Sequence, residues 1–271
     1  MQVTLELIDA VRNLSFDEAL RYLVGTLYPE VLDPLRVPGV VLCVQPHPDD
    51  CEFGAGGTIA LLGKSGRDIY YVTVTDGRMG TSNPNLYPEE LARIRRREQE
   101  EAARLLGVRN IIWFDFMDTN VPVNDLRNRL ITEIRRLKPS IVIAPDPYTR
   151  YEAHSDHINT GKAVLEALIL SGLPHVNDVD IRNGLEPHSA RLVMLYYTSS
   201  PNKYIDIGEV LDLKINALAR HESQFPDRVL LEFLVKVNAM LYGKLAGVSY
   251  AEGFKVIPVD LLHVAPFVER I

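Results

Sequence analysis

Apolar positions fall along this chain in two alternating rhythms, and the alternation sets the architecture to expect. Val40 to Val44 is an unbroken apolar run rich in β-branched residues, the pattern of a strand buried on both faces. Ile69 to Thr75, Asn110 to Phe114, Ser140 to Ala144 and Leu192 to Thr198 read as four more strands. Between them Gly56 to Lys64, Glu89 to Leu106, Asp125 to Leu137 and Asp156 to Leu170 carry apolar residues at helical spacing. Strands alternating with helices over short connections predict an α/β fold: a Rossmann-like, doubly wound, mainly parallel sheet with right-handed crossovers. Ligands in such sheets gather at the carboxyl ends of the strands.

The flanks read differently. Residues 1 to 28 place Leu5, Ile8, Leu14, Ala19, Leu20 and Leu23 among interleaved charges, predicting one or two amphipathic helices outside the sheet. Ile207 to His221 and Val229 to Leu245 read as helices, followed by Tyr250 to Phe254 and a last segment around Leu261 to His263. The expectation is one domain over 1–271, with a helical extension at 1–36, a core at 37–200 and C-terminal helical additions at 201–271.

Composition narrows the classes. With 271 residues, 46% of them hydrophobic, the chain can bury a large core. A net charge of −7 argues against a nucleic-acid partner, which calls for a basic face, and favours a neutral or weakly charged small substrate. Glu6, Asp9, Arg12, Asp17 and Glu18 interrupt the N-terminus, unlike a signal peptide, and no apolar run is long enough to span a membrane. Cys43 and Cys51 are too few and too close in sequence for a disulfide framework. Their natural setting is a reducing cytoplasm, with Cys51 a small packing residue rather than a nucleophile.

The candidate chemistry follows two strands. Pro46-His47-Pro48-Asp49-Asp50 comes directly after the first, and Pro145-Asp146-Pro147 followed by His154-Ser155-Asp156-His157 directly after the fourth. If both loops lie on one sheet edge, a histidine and a carboxylate from the first can meet a histidine from the second around one divalent cation. Two nitrogens, one oxygen and a water make the arrangement of a catalytic zinc. An Asp-Asp pair then permits two roles, one carboxylate on the metal and the other beside it as a general base. Prolines stiffen the first loop and lower the entropy lost in holding the ligands. Taken singly, each cluster also has a plain reading, a packing histidine or an aspartate capping a helix.

His47-Pro48-Asp49-Asp50 with Gly56-Gly57-Thr58, then Thr75-Asp76-Gly77, Arg95 to Glu98 and His154 to His157, resembles the PIG-L or LmbE-like family of zinc N-deacetylases. The resemblance runs from about 39 to about 170, with weaker echoes at His221 to Gln224 and Tyr250 to Phe254. The terminal regions are most similar to those of archaeal diacetylchitobiose deacetylases. It implies Zn2+ held by His47, Asp50 and His157, and Asp49 as the base that activates water. His154 would stabilise the oxyanion and help protonate the leaving amine. The implied substrate is an N-acetylglucosamine unit, free or as diacetylchitobiose, with another acetamido-sugar conjugate as the alternative. The implied assembly is a homo-oligomer. Ser155 stands where many relatives carry proline, which loosens that loop.

Three further residues are candidate sugar contacts. Arg95 and Asp118 match a family arginine and aspartate at the pocket, although most of the run Arg93 to Glu98 is explained by ion pairs on a solvated helix face. His263 reads first as a core or interface histidine and, in an oligomer, as one that reaches a neighbouring subunit's site. Trp113, inside an apolar strand, reads as core.

Two rival readings remain open at this point. Gly54, Gly56 and Gly57 after the first strand and Asp76 after the second suggest a nucleotide-binding Rossmann protein, but Ile59 stands where the fingerprint needs a small residue. A metal-bound sugar-binding protein without turnover is the other, and Asp49 argues against it, because a second carboxylate beside a bound one serves proton transfer.

Overall fold

A computed structural model describes residues 2–271. Its seven-stranded sheet has the order β3-β2-β1-β4-β5-β7-β6. The first five, β1 (Val40–Gln45), β2 (Ile69–Thr75), β3 (Asn110–Phe116), β4 (Pro139–Pro145) and β5 (Leu192–Tyr196), are parallel. β7 (Ala251–Pro258) and β6 (Lys203–Asp206) then run antiparallel to their neighbours. This is the doubly wound, mainly parallel α/β fold expected from the periodicity, and the C-terminal region adds strands to it as well as helices.

Burial on both faces explains the unbroken apolar runs. Along β1, Val41 and Cys43 face one core with Ile59 and Ala102, while Leu42 and Val44 face a second core with Leu130 and Val164. The first core is roofed by α3 (Asp50–Lys64), α4 (Pro88–Leu105), α8 (Leu211–Leu218) and α9 (Arg228–Ala246). The second is roofed by α5 (Val123–Leu137) and α6 (Ser155–Leu170). α1 (Gln2–Val11) precedes α2 (Phe16–Leu27), which is started by a Ser15–Glu18 capping box and adds Leu20 and Val24 to the first core. A short α7 (Asp178–Arg182) follows α6.

The winding direction places the site. From β1 the chain moves outward to β2 and β3, then returns to β4 on the other side of β1. β1 and β4 are therefore adjacent at the topological switch point, where their carboxyl ends open a crevice.

Several elements depart from the periodicity. α3 begins at Asp50, six residues before the apolar pattern does, because its first turn carries the buried polar residues Asp50 and Glu52. Gly54 and Gly57 lie within this helix rather than in a phosphate-binding turn: a Cβ at Gly54 would strike the Tyr196 ring, and one at Gly57 would strike Ile207. The glycines permit close packing of the helix, which removes the basis of the nucleotide fingerprint. β7 hides its strand character behind two charged residues that are nonetheless buried. One of them, Glu252, accepts the Gly57 and Thr58 N–H groups at 2.8 Å each and pairs with Lys214 at 2.6 Å, fastening α3 to α8 and the C-terminal strand.

Cys43 and Cys51, expected to be unpaired, form a disulfide, with Cα atoms 6.6 Å apart. The loop after β1 reverses the chain so that the first turn of α3 lies back over the strand it left. Sequence proximity thus becomes bonding distance. The cysteines accordingly give no support to a reducing compartment. No helix among the described residues is long and apolar enough to cross a membrane.

His221 is fully buried beneath α3, its ring 3.8 Å from Glu52. Burial, reinforced by the Arg95 charge, pushes the imidazole from an ordinary 6.5 down to about 3. Unfolding restores the ordinary value, so between those limits the unfolded chain binds a proton that the folded chain refuses. Stability therefore falls as pH drops through the window, by at most about 1.4 kcal/mol per pH unit from this group. Urea unfolding at pH 7 and 4.5 is expected to show a smaller loss for His221→Asn than for the parent, and equal losses would remove His221 from the account.

Candidate metal centre and active site

The first loop is tied to its neighbours before it presents any side chain. The Pro46 carbonyl accepts from both the backbone N–H and the hydroxyl of Thr75, which fixes the loop against β2. Asp49 then adopts a left-handed conformation, φ 103°, unusual for a residue with a Cβ. Its N–H donates to Gln99 Oε1 at 2.9 Å, and Gln99 in turn donates to Glu52 at 2.8 Å. Arg95 supplies the other restraint: its guanidinium donates to the Pro48 carbonyl at 2.6 Å, to the Asp49 carboxylate at 3.0 Å and to the Gly77 carbonyl at 2.9 Å. Gly77, at φ 64°, leaves room that a Cβ would take from this guanidinium.

The second loop leaves β4 through Asp146, whose N–H donates to the Tyr196 carbonyl, and is pinned again where Thr149 donates to the Tyr197 carbonyl at 2.6 Å. His154 caps α6, its Nδ1 accepting the Asp156 N–H at 3.3 Å. His157 lies in the first turn of that helix, on the same side.

The two loops meet. His47 Nδ1 lies 3.3 Å from Asp50 Oδ2, and His157 Nε2 lies 3.4 Å from Asp50 Oδ1. One donor atom from each of these three residues falls within 4.8 Å of the others. The ring of His154 is 4.6 Å from that of His47 and 5.2 Å from that of His157. Two imidazole nitrogens and a carboxylate converging in a largely buried space fit a divalent cation of the zinc type. His47 Nε2, turned away from Asp50, faces Asp118 at 3.2 Å and Asp156 at 3.4 Å. A carboxylate behind a histidine fixes the tautomer that leaves the opposite nitrogen free to ligate.

Electrostatics separate the two adjacent aspartates. Burial pushes Asp49 up to about 7, with Asp50 adding to the rise and Arg95 opposing it. Burial also works to raise Asp50, but His157 and His47 outweigh it and hold its carboxyl below the usual range. One carboxylate thus stays ionised while its neighbour is poised to take a proton near neutral pH. Burial lowers His154, and the neighbouring His47 and His157 lower it further, which favours the neutral ring. His47 is raised well above its ordinary value despite burial, by Asp118, Asp156 and Asp50.

His47, Asp49, Asp50, His154 and His157 therefore lie together, with Asp118 beside them. Asp118 is buried, accepts the Met79 N–H at 2.8 Å and is no ordinary turn residue. Arg95 is also buried, with its guanidinium directed at Asp49 and backbone carbonyls. His263 is exposed on the C-terminal tail, outside the cluster. Trp113, expected in the core, is half-buried on the edge strand β3, where Arg96 covers its ring at 4.3 Å.

Two residues that pattern reasoning passed over belong to the site. Asp156, whose plain reading is a helix cap, is completely buried and accepts the Thr119 N–H at 2.7 Å while facing His47. Tyr197, just past β5 at φ 57°, donates its hydroxyl to Asp50 Oδ1 at 3.3 Å and stacks on His157 at 5.8 Å between ring centres. The signal for Tyr197 was its place at the carboxyl end of a third strand on the same sheet edge.

The chain is similar to known proteins over most of its length. The family model described as PIG-L, GlcNAc-PI de-N-acetylase, matches residues 42–168. A diacetylchitobiose deacetylase of Thermococcus kodakarensis is 43% identical over 93% of this chain and 96% of its own length. A probable N-acetyl-alpha-D-glucosaminyl L-malate deacetylase 2 of Bacillus cereus is 30% identical over 68% of this chain and 83% of its own. Among solved structures, the N,N'-diacetylchitobiose deacetylase from Pyrococcus horikoshii, complexed with its inhibitor MPG, superposes with a TM-score of 0.89 at 42% identity. The match covers 95% of this chain and 98% of that one.

Proposed function

The chain belongs to the PIG-L family of de-N-acetylases, and from that premise we propose that it removes the acetyl group from the amine of an N-acetylglucosamine unit in a short sugar. Diacetylchitobiose and N-acetylglucosamine are the substrates to test first. The enzyme is a hydrolase of N-acetyl amide bonds. The observation that carries this reading is the convergence of His47, Asp50 and His157 from two loops, with Asp49 and His154 at its margin.

We assign His47, Asp50 and His157 as the ligands of a zinc ion. Bound there, zinc would supply a Lewis acid for the acetyl carbonyl and a water whose pKa drops from about 15.7 to about 7. Asp49 takes the proton from the attacking water, and its elevated pKa suits a group that must accept a proton and give it up again near neutrality. That proton goes to the departing amine and the acid's own proton follows it, so water and amide become acetate and an ammonium group with no proton left over. His154 accepts the Asp156 N–H at Nδ1, so its own proton sits on Nε2, where the ring can donate to the developing oxyanion. Arg95 keeps Asp49 aimed, and Asp118 and Asp156 keep His47 in its ligating tautomer.

We take the enzyme to be a homo-oligomer. In support, α9 exposes Val229, Leu230, Phe233, Leu241 and Leu245 along one stripe that no described residue covers, and His263 is exposed.

Purified protein incubated with N-acetylglucosamine and its dimer is expected to release one acetate per amine formed. Chelation is expected to stop the release, and added zinc to restore it. Sugar binding with no acetate under any metal would leave a binding protein instead.

A further inference from the structure

One carboxylate in the second loop serves both histidines of that loop and has no role in the reaction as described. Glu152 Oε1 accepts the backbone N–H of His154 at 2.8 Å, and its Oε2 lies 3.4 Å from His157 Nδ1. That ring nitrogen is buried and makes no hydrogen bond within the usual geometric limits among the described residues. We propose that Glu152 is the positioning residue of the second loop: a single carboxylate that orients His157 for the metal while fixing the backbone of His154.

The inference rests on the metal-ligand reading above and deepens it. His157 presents Nε2 to Asp50, so the proton of the neutral ring belongs on Nδ1, facing Glu152. A ligating histidine nearly always hands that proton to an outer acceptor, which fixes the tautomer and raises ligand basicity. The separation is slightly longer than an ideal N–H···O bond, and a small rotation of either side chain closes it. Tyr197 stacks against the His157 ring face, restricting the ring to motion in its own plane. Asp50 and Glu152 then fix it within that plane from opposite edges. The Glu152 charge also sits at the amino end of the 16-residue α6, where a helix favours an anion. The two loops thereby follow one rule, since His47 has its own carboxylates behind it.

The test compares zinc affinity of the full chain, measured by competition with a chromogenic chelator, in the parent, Glu152→Ala and Glu152→Gln. Glu152→Ala is expected to weaken zinc binding by about 10- to 100-fold. Glu152→Gln, whose single carbonyl oxygen can accept one of the two hydrogen bonds, is expected to recover part of that loss. Both should leave the unfolding midpoint of the metal-free protein unchanged. An affinity in Glu152→Ala equal to the parent's overturns this proposal alone. So does a loss that Gln does not recover and that comes with a lowered metal-free midpoint, since the glutamate would then only hold the loop together. A parent that binds no zinc would overturn both this proposal and the ligand assignment.

Discussion

Asp49→Asn is expected to lower kcat by about 10²- to 10⁴-fold while the protein still binds one zinc and unfolds at the parent's temperature. The substitution is nearly isosteric, so the left-handed turn and the N–H bond to Gln99 need not move. What disappears is the proton acceptor. Among the described residues Asp49 makes one side-chain hydrogen bond, to Arg95, unlike Asp50, whose carboxylate lies between two imidazoles. Asp49 is assigned a proton-transfer role and no sugar contact, so KM should stay within a few-fold and the whole loss should appear in kcat. Metal analysis alongside steady-state acetate release decides the point. If Asp49→Asn emptied the centre instead, the two aspartates would have exchanged roles and the assignment of the base would fall.

The loops that meet at this centre were legible because each follows a strand whose burial on both faces leaves an unmistakable apolar run. Val40 to Val44 and Ser140 to Ala144 could be placed in one sheet from pattern alone, and His47 and His154 follow from where those runs stop. Adjacency was the missing quantity. That β4 pairs directly with β1 is a property of the winding, and only it brings Asp156 behind His47 and Tyr197 beside His157. Glu152 escaped for the same reason, since a glutamate in a polar loop carries no periodic signal until the ring it faces is known. The start of α3 was hidden differently. Asp50 and Glu52 look like loop residues by polarity, yet both are buried in the first turn, one beside two imidazoles and the other bonded to Gln99. The same early helix start brings Cys51 over Cys43, so the error in the boundary and the error about the cysteines have one cause.

His157→Ala and His154→Ala separate ligation from catalysis at two positions a single helical turn apart. His157 shares the Asp50 carboxylate with His47, and without it the centre keeps one imidazole and one carboxylate, too few to retain a zinc ion against dialysis. His157→Ala is therefore expected to lose stoichiometric zinc and, with it, essentially all acetate release. The buried His47 and Asp50 would remain close enough to pair with each other, so the fold should survive. His154 bonds the Asp156 N–H and takes no part in the donor group of His47, Asp50 and His157. His154→Ala should keep its zinc and lose about 10²- to 10³-fold in kcat, the cost of one oxyanion donor, on the order of 2.7–4 kcal/mol. Zinc content measured by atomic spectroscopy and turnover measured on the same samples give opposite orderings under the two roles. A His154→Ala protein that came through purification without zinc, or a His157→Ala protein that kept it, would move the metal toward the second grouping of His47, Asp118, His154 and Asp156. Asp50 and His157 would then lose the ligand roles that the mechanism requires of them.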